Sequence, residues 1–508
     1  MPTRSTLLAL LLAGTAQAQT QEPLSAIDWL TDPPENLPGT VLMEPPVTQT
    51  GMQPDVQVTP LEALSPPLGL VASSVTGLPV DLWQSSDADR LADLISQVRV
   101  KSNPAMQRLL FTLLLSEARP PAGGQSPDTL LMARLDRLMQ LGASDPVQSL
   151  VQLAGPTDTQ DRFRRWFDAT LLTGDEDRSC TALIAQPNLS RDYAAQIFCK
   201  ARRGDWTSAA LTLEAVHALQ LLPEDELALL DRFLSPELFE GAEYLPQPED
   251  PDPLTFRLFE AIGERLPTAS LPRAFANADL RDVAGWKAQI EAAERLTRIG
   301  ALTPNQLLGL YTERAPAASG AVWDRVAAVQ RFESALETDD PNTISKALTT
   351  VWKQMKIAGL EVPFAELFAP RLAALTLPDQ AAENLRWRIL LLSELYEDAA
   401  RTTPDGSEAN MFLAALAQGD PVRAPSPTPL ADAISQGFAW SAPIPSDIDA
   451  LLNNDQLGEA ILETMQLFAH GSRGNLVDLT ASVAAFRRVG LEDTARRAAL
   501  QLMILNGA

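Results

Sequence analysis

The chain holds very little cysteine or histidine, the residues from which many nucleophilic and metal sites are built. Its 508 residues include two cysteines and two histidines. A zinc site needs clustered His, Cys or carboxylates, and His217 and His470 each stand without a second soft ligand nearby in sequence. No G-x-S-x-G elbow, G-x-x-x-x-G-K phosphate loop, H-E-x-x-H pair or calcium-loop pattern occurs. The sequence therefore names no catalytic, cofactor-binding or metal-binding residue, and no cofactor is expected. Positive charge is also short. Forty Lys and Arg stand against 65 Asp and Glu, a net charge of −25, which excludes nucleic acid as a partner because no basic surplus exists to neutralise phosphates. The same balance disfavours anionic membrane surfaces. Long apolar runs are missing too. The stretch Leu109 to Leu115 falls well short of the roughly 20 residues that span a bilayer, so the chain is not expected to cross one. With only four tyrosines and abundant Ala and Leu, the composition favours helix over sheet.

The N-terminus carries an address. Arg4, the apolar Leu7 to Leu12 and the small-x-small site Ala16-Gln17-Ala18 read as a secretory signal peptide over 1–18, cleaved after Ala18. No Cys follows the cut, which excludes an N-terminal lipid anchor. The expected location is the periplasm, where ATP is absent and thiols oxidise.

Residues 19–85 read as a proline-rich, acidic, disordered arm. Eleven of the 40 prolines lie between residues 19 and 80, and no Lys or Arg occurs between Arg4 and Arg90. Two apolar islands interrupt it. One is Ser25 to Leu30, which includes Trp29 and has a capping-box-like start; the other runs from Leu68 to Trp83. Each island either docks on the protein's own body or serves as a short partner-binding segment. From about Ser86 onward, apolar residues recur at helical spacing, as in Leu91, Leu94, Ile95 and Val98. Pro246 to Pro253 and Gly419 to Pro429 are the clearest breaks, dividing the helices into arrays over 86–245, 254–418 and 430–508. Helix starts are marked by Pro223 before Glu224-Asp225-Glu226 and by Asp340 before Pro341.

Some hairpins share a spacing. Gly204, Trp206 and Ala209 fall at matched offsets, and Ala460 and Ala495 are 35 residues apart. This resembles the tetratricopeptide repeat, whose period is about 34 and whose small residues let paired helices approach closely. The expected fold is thus all-α, a degenerate tetratricopeptide-like helical-hairpin solenoid behind the arm, with a generic helical bundle as the alternative. Farther upstream, VTPLEALSPP followed by SVTGLPVDLWQSSDADRL resembles a group of exported alphaproteobacterial proteins, some labelled antifreeze glycopeptide polyprotein. That likeness implies export. The label also implies Thr-Ala-Ala tandem repeats, which this chain lacks.

Two constellations remain. The midpoint between Cys180 and Cys199 falls between Leu189 and Ser190, within the turn signalled by Pro187-Asn188, with Ser190 as a candidate helix cap. Each cysteine is then about 14 Å along one of two antiparallel helices, matched in height for a disulfide, or else the two are separate buried thiols. The run Asp161 to Trp166 is basic and aromatic. It marks Arg162, Arg165 and Trp166, together with Trp29, as possible partner-binding residues, or else it is the solvated face of a helix. The expected function is an exported, non-enzymatic interaction or scaffold protein that binds a protein or peptide partner in the cell envelope. The alternative is a cell-wall hydrolase using a carboxylate pair on a helical scaffold.

Overall fold

The computed structural model describes residues 66–121 and 128–507. The expected signal sequence, the first island and Trp29 lie outside those residues. Among the described residues the protein is all-α, with 25 α-helices and no strands. Extended pairing is limited to isolated bridges joining Leu68 to Ala118 and Val71 to Ser116.

Local chemistry accounts for where the helices begin. Asp87, Asn103, Thr159, Asp252, Asp340, Ser407 and Thr428 each accept a backbone N–H of the first turn. Many of the prolines fill first-turn positions, where the missing N–H costs nothing, as at Pro104, Pro253, Pro304, Pro341 and Pro429. The Thr129–Leu141 helix stops at Gly142, whose φ of 87° suits glycine, and whose N–H bonds the carbonyls of Leu138 and Met139. Both sequence breaks are short connectors within one body. Buried apolar residues from Leu78 to Ile504 form a continuous core, and the Pro253–Ala261 helix packs on Gln160–Thr173 across the first break. The arrays read as 86–245, 254–418 and 430–508 therefore share their interior.

The end of the expected arm differs from its reading. Residues 66–85 are part of the body, and the second island docks. The Leu68 N–H donates to the Ala118 carbonyl at 3.0 Å, the Leu70 N–H to that of Leu115 at 2.8 Å, and the Glu117 N–H to that of Val71 at 2.8 Å. The buried Arg134 fixes this strap, donating to the carbonyls of Leu68 (3.0 Å), Leu114 (2.7 Å) and Ser116 (3.0 Å). Burial pushes its guanidinium down to about 10. Leu82 and Trp83 are buried, and Trp83 lies against Gly458, where any Cβ would sit 2.3 Å from the indole. Apolar burial outweighs proline content here, because Trp83 alone removes a large ring from water.

That contact belongs to a larger closure. The Leu457–Gly471 helix packs on Ala88–Gln97, and Glu492–Gly507 packs on Pro104–Leu115. Arg90 pairs with Glu463 and lies 3.5 Å from Glu459. Asn103 donates to the Ala498 carbonyl at 3.0 Å, and Gln501 accepts the Ala105 N–H at 2.7 Å. The first two long helices of the described chain thus meet helices near its end.

Candidate functional site

The cysteines are joined. Cys180 in Glu176–Ala185 and Cys199 in Tyr193–Arg202 have Cα atoms 4.8 Å apart and bonded sulfurs. The turn between them is the 3-10 segment Pro187–Leu189. Because that segment occupies the expected cap region, the second helix starts later. Asp192 caps it in place of Ser190, whose hydroxyl instead accepts the Asp192 N–H at 3.1 Å. The bond is a structural staple, with both cysteines fully buried.

The basic-aromatic run is engaged within the protein itself. Arg162 grips Asp128 through two hydrogen bonds of 2.6 and 2.7 Å, and Arg165 grips Asp136 at 2.7 and 2.8 Å. Trp166 is only 5% exposed and packs edge-on to Phe163. Spacing of three residues turns both arginines toward the Thr129–Leu141 helix and its preceding Asp128. The chain's own carboxylates engage them. His217 likewise pairs internally, 3.0 Å from Asp231.

His470 is placed differently. It stands in the last turn of Leu457–Gly471, 3.5 Å from Asp478, on the wall of a cleft of about 830 Å³. The cleft lies where the chain closes on itself. Arg99 and Lys101 come from the connection between the first two long helices, Arg137 from Thr129–Leu141, Arg273 from the start of a 3-10 turn, and Arg473 from just beyond His470. No carboxylate lines it. Arg137 holds the loop in place, donating to the carbonyls of Ser96 (3.3 Å) and Val98. Desolvation lowers the pKa of Arg137, and Arg273 lowers it further; Arg273 is itself lowered by burial and then by Arg295 and Arg298. The floor is apolar, formed by the buried Val98, Val100, Leu141 and Ile299. Sequence reasoning missed this site because its cations are scattered from position 99 to 473, each unremarkable in its own segment.

Carboxylates gather in another place. Asp168, Asp192, Glu226 and Asp252 come from four different helices, with Asp192 and Asp252 serving as caps. Burial, reinforced by Asp252, raises the Asp168 carboxyl to about 7. Glu226 rises to about 7 through burial and its neighbours Asp192 and Asp252. The cap carboxylates accept backbone N–H groups, Asp192 from Ala194 and Ala195 and Asp252 from Thr255. Among the described residues no group of three or more His, Cys, Asp or Glu has the geometry to hold a metal ion, and no helix is long and apolar enough to cross a membrane. No protein-family model, curated protein or solved structure matches the chain.

Proposed function

We propose that this is an exported, non-enzymatic interaction protein of the cell envelope, built on a degenerate helical-hairpin array, and that it holds a peptide or protein partner. The observation that carries the reading is the cleft between the two ends of the array. It offers cations and buried apolar surface and contains no nucleophile paired with a base. Its size lies within the range of about 300–1,000 Å³ typical of ligand sites. The experiment is affinity purification from the periplasm with the wild type beside an Arg99→Glu, Arg473→Glu variant. A partner recovered reproducibly by the first and lost by the second supports the reading. Equal recovery by both places the contact elsewhere, and recovery of nothing counts against a scaffold.

A second reading, a cell-wall hydrolase, draws on Asp168 and Glu226, two carboxyls raised to about 7 and so suited to proton transfer near neutral pH. Release of soluble fragments from purified peptidoglycan by the wild type, and its loss in Asp168→Asn, would favour this reading.

A further inference from the structure

We infer that the closure cleft takes an acidic peptide segment, its carboxylates on the cationic rim and its apolar side chains on the floor. The inference rests on the reading of the protein as an interaction protein and adds the chemistry of what it holds. Charge balance is the first argument. In a chain of net charge −25, none of Arg99, Lys101, Arg137, Arg273 and Arg473 forms an ion pair among the described residues. Many arginines elsewhere do, as Arg162, Arg257, Arg325 and Arg386 illustrate, while others, such as Arg134 and Arg298, donate to backbone carbonyls instead. Holding several like charges together costs energy that an incoming anion relieves. Donors are the second argument. Arg137 Nε and Gln466 Nε2, both on lining residues, are buried without an acceptor, and a buried donor left unpaired costs about 1–3 kcal/mol. A carboxylate supplies the acceptors.

The floor and the neighbourhood narrow the class. Val98, Val100, Leu141 and Ile299 suit an apolar side chain and give nothing to a bare phosphate. A long polyanion is disfavoured by what lies across the wall. Ser96, Arg137 and Gln140 also line a second cleft of about 560 Å³, whose lining includes Asp93, Asp128, Asp136 and Asp161. Nucleic acid or an anionic bilayer running past the rim would meet those carboxylates. A short acidic segment is confined to the positive side, and like-charge repulsion over the remaining surface discriminates against binding anywhere else.

The test is fluorescence anisotropy on the full chain with a short labelled peptide of alternating Glu and Leu, and with a control in which Gln replaces Glu. The Glu peptide should bind at least about tenfold more tightly than the Gln control, and binding should weaken about tenfold between 50 mM and 500 mM salt. Arg99→Glu with Arg473→Glu should weaken it by a further tenfold or more. Both side chains are exposed, and an unchanged melting temperature confirms that the variant folds. Equal binding of both peptides, or binding indifferent to the substitutions, overturns the inference. So does displacement of the peptide by pyrophosphate or by phosphatidylglycerol vesicles at lower concentration than by unlabelled Glu peptide. A periplasmic partner still captured through the cleft while the Glu peptide fails would overturn this chemistry alone. Failure of both would overturn the interaction reading as well.

Discussion

Two clefts share the wall formed by Ser96, Arg137 and Gln140, and they handle charge in opposite ways. On one side three of the four carboxylates are matched: Asp128 by Arg162, Asp136 by Arg165, and Asp161 by Arg165 at 3.7 Å. On the other side the cations stand without ion pairs. Matched charges contribute to holding helices together, whereas unmatched ones of like sign oppose the fold and are free to meet a ligand. An overall charge of −25 conceals this division. The difference teaches that an acidic protein's binding chemistry can reside in its minority charge.

Stability measurements should separate the two sides. The largest effect is expected behind the matched side, where the disulfide joins the two helices that follow Gln160–Thr173. Closing a loop of sequence separation 19 stabilises by about 3 kcal/mol, so Cys180→Ala with Cys199→Ala should lower the unfolding free energy by that amount in urea titrations. Thiol labelling of the unfolded, unreduced wild type should find no reactive cysteine. Next comes Asp128→Asn. It leaves Arg162, only 17% exposed, without its bidentate partner, and the expected loss is about 2 kcal/mol, discounted from the buried-pair range for partial exposure.

The carboxylate cluster gives a pH signature. Asp168 binds its proton more tightly in the folded state than in the unfolded chain. Its contribution is therefore fully present below about pH 4 and is lost as pH rises through about 7. Asp168→Asn should remove that slope and leave the variant about 1–2 kcal/mol more stable than the wild type at pH 8, measured by denaturation across pH. The smallest effect belongs to the unmatched side. Arg99→Gln and Arg473→Gln break no ion pair and should change stability by less than about 0.5 kcal/mol. A loss comparable to that of Asp128→Asn would mean that these cations support the fold, and the contrast between the clefts would fail.

Helix content was legible in the sequence because its signals are local. Apolar stripes such as Leu91, Leu94 and Ile95, caps such as Asp340 and the acids after Pro223 all act within a turn or two of their own position. The disulfide was legible for the same reason, since the two cysteines flank the turn begun by Pro187-Asn188 within one hairpin. Ser190 was misjudged by two residues because a 3-10 turn and a helical turn share the same proline signal. The arm was drawn too far, to residue 85, because proline content argues about the backbone, while Leu82 and Trp83 find their burial against Gly458, far along the chain, as the docking reading of that island expects. Arg162 and Arg165 looked available because their partners, Asp128 and Asp136, sit on another helix. The cleft was wholly illegible. Its parts meet only when residues 96–101 and 466–473 are brought together, and no local rule anticipates that meeting.

The closure of the first helices on the last has a consequence for how the molecule comes apart. A linear array of hairpins frays from its ends, where each terminal unit lacks a neighbour on one side. Here the terminal helices are each other's neighbours, through Trp83 on Gly458, Arg90 on Glu463, and Asn103 on the Ala498 carbonyl. Amide exchange should therefore be as slow in Ala88–Gln97 and Glu492–Gly507 as in helices midway along the chain. Deleting the final helix should deprotect Pro104–Leu115 as strongly as it deprotects its sequence neighbour Leu476–Arg488. Among the described residues, helices tied together in this way leave local unfolding no frayed terminal unit from which to start.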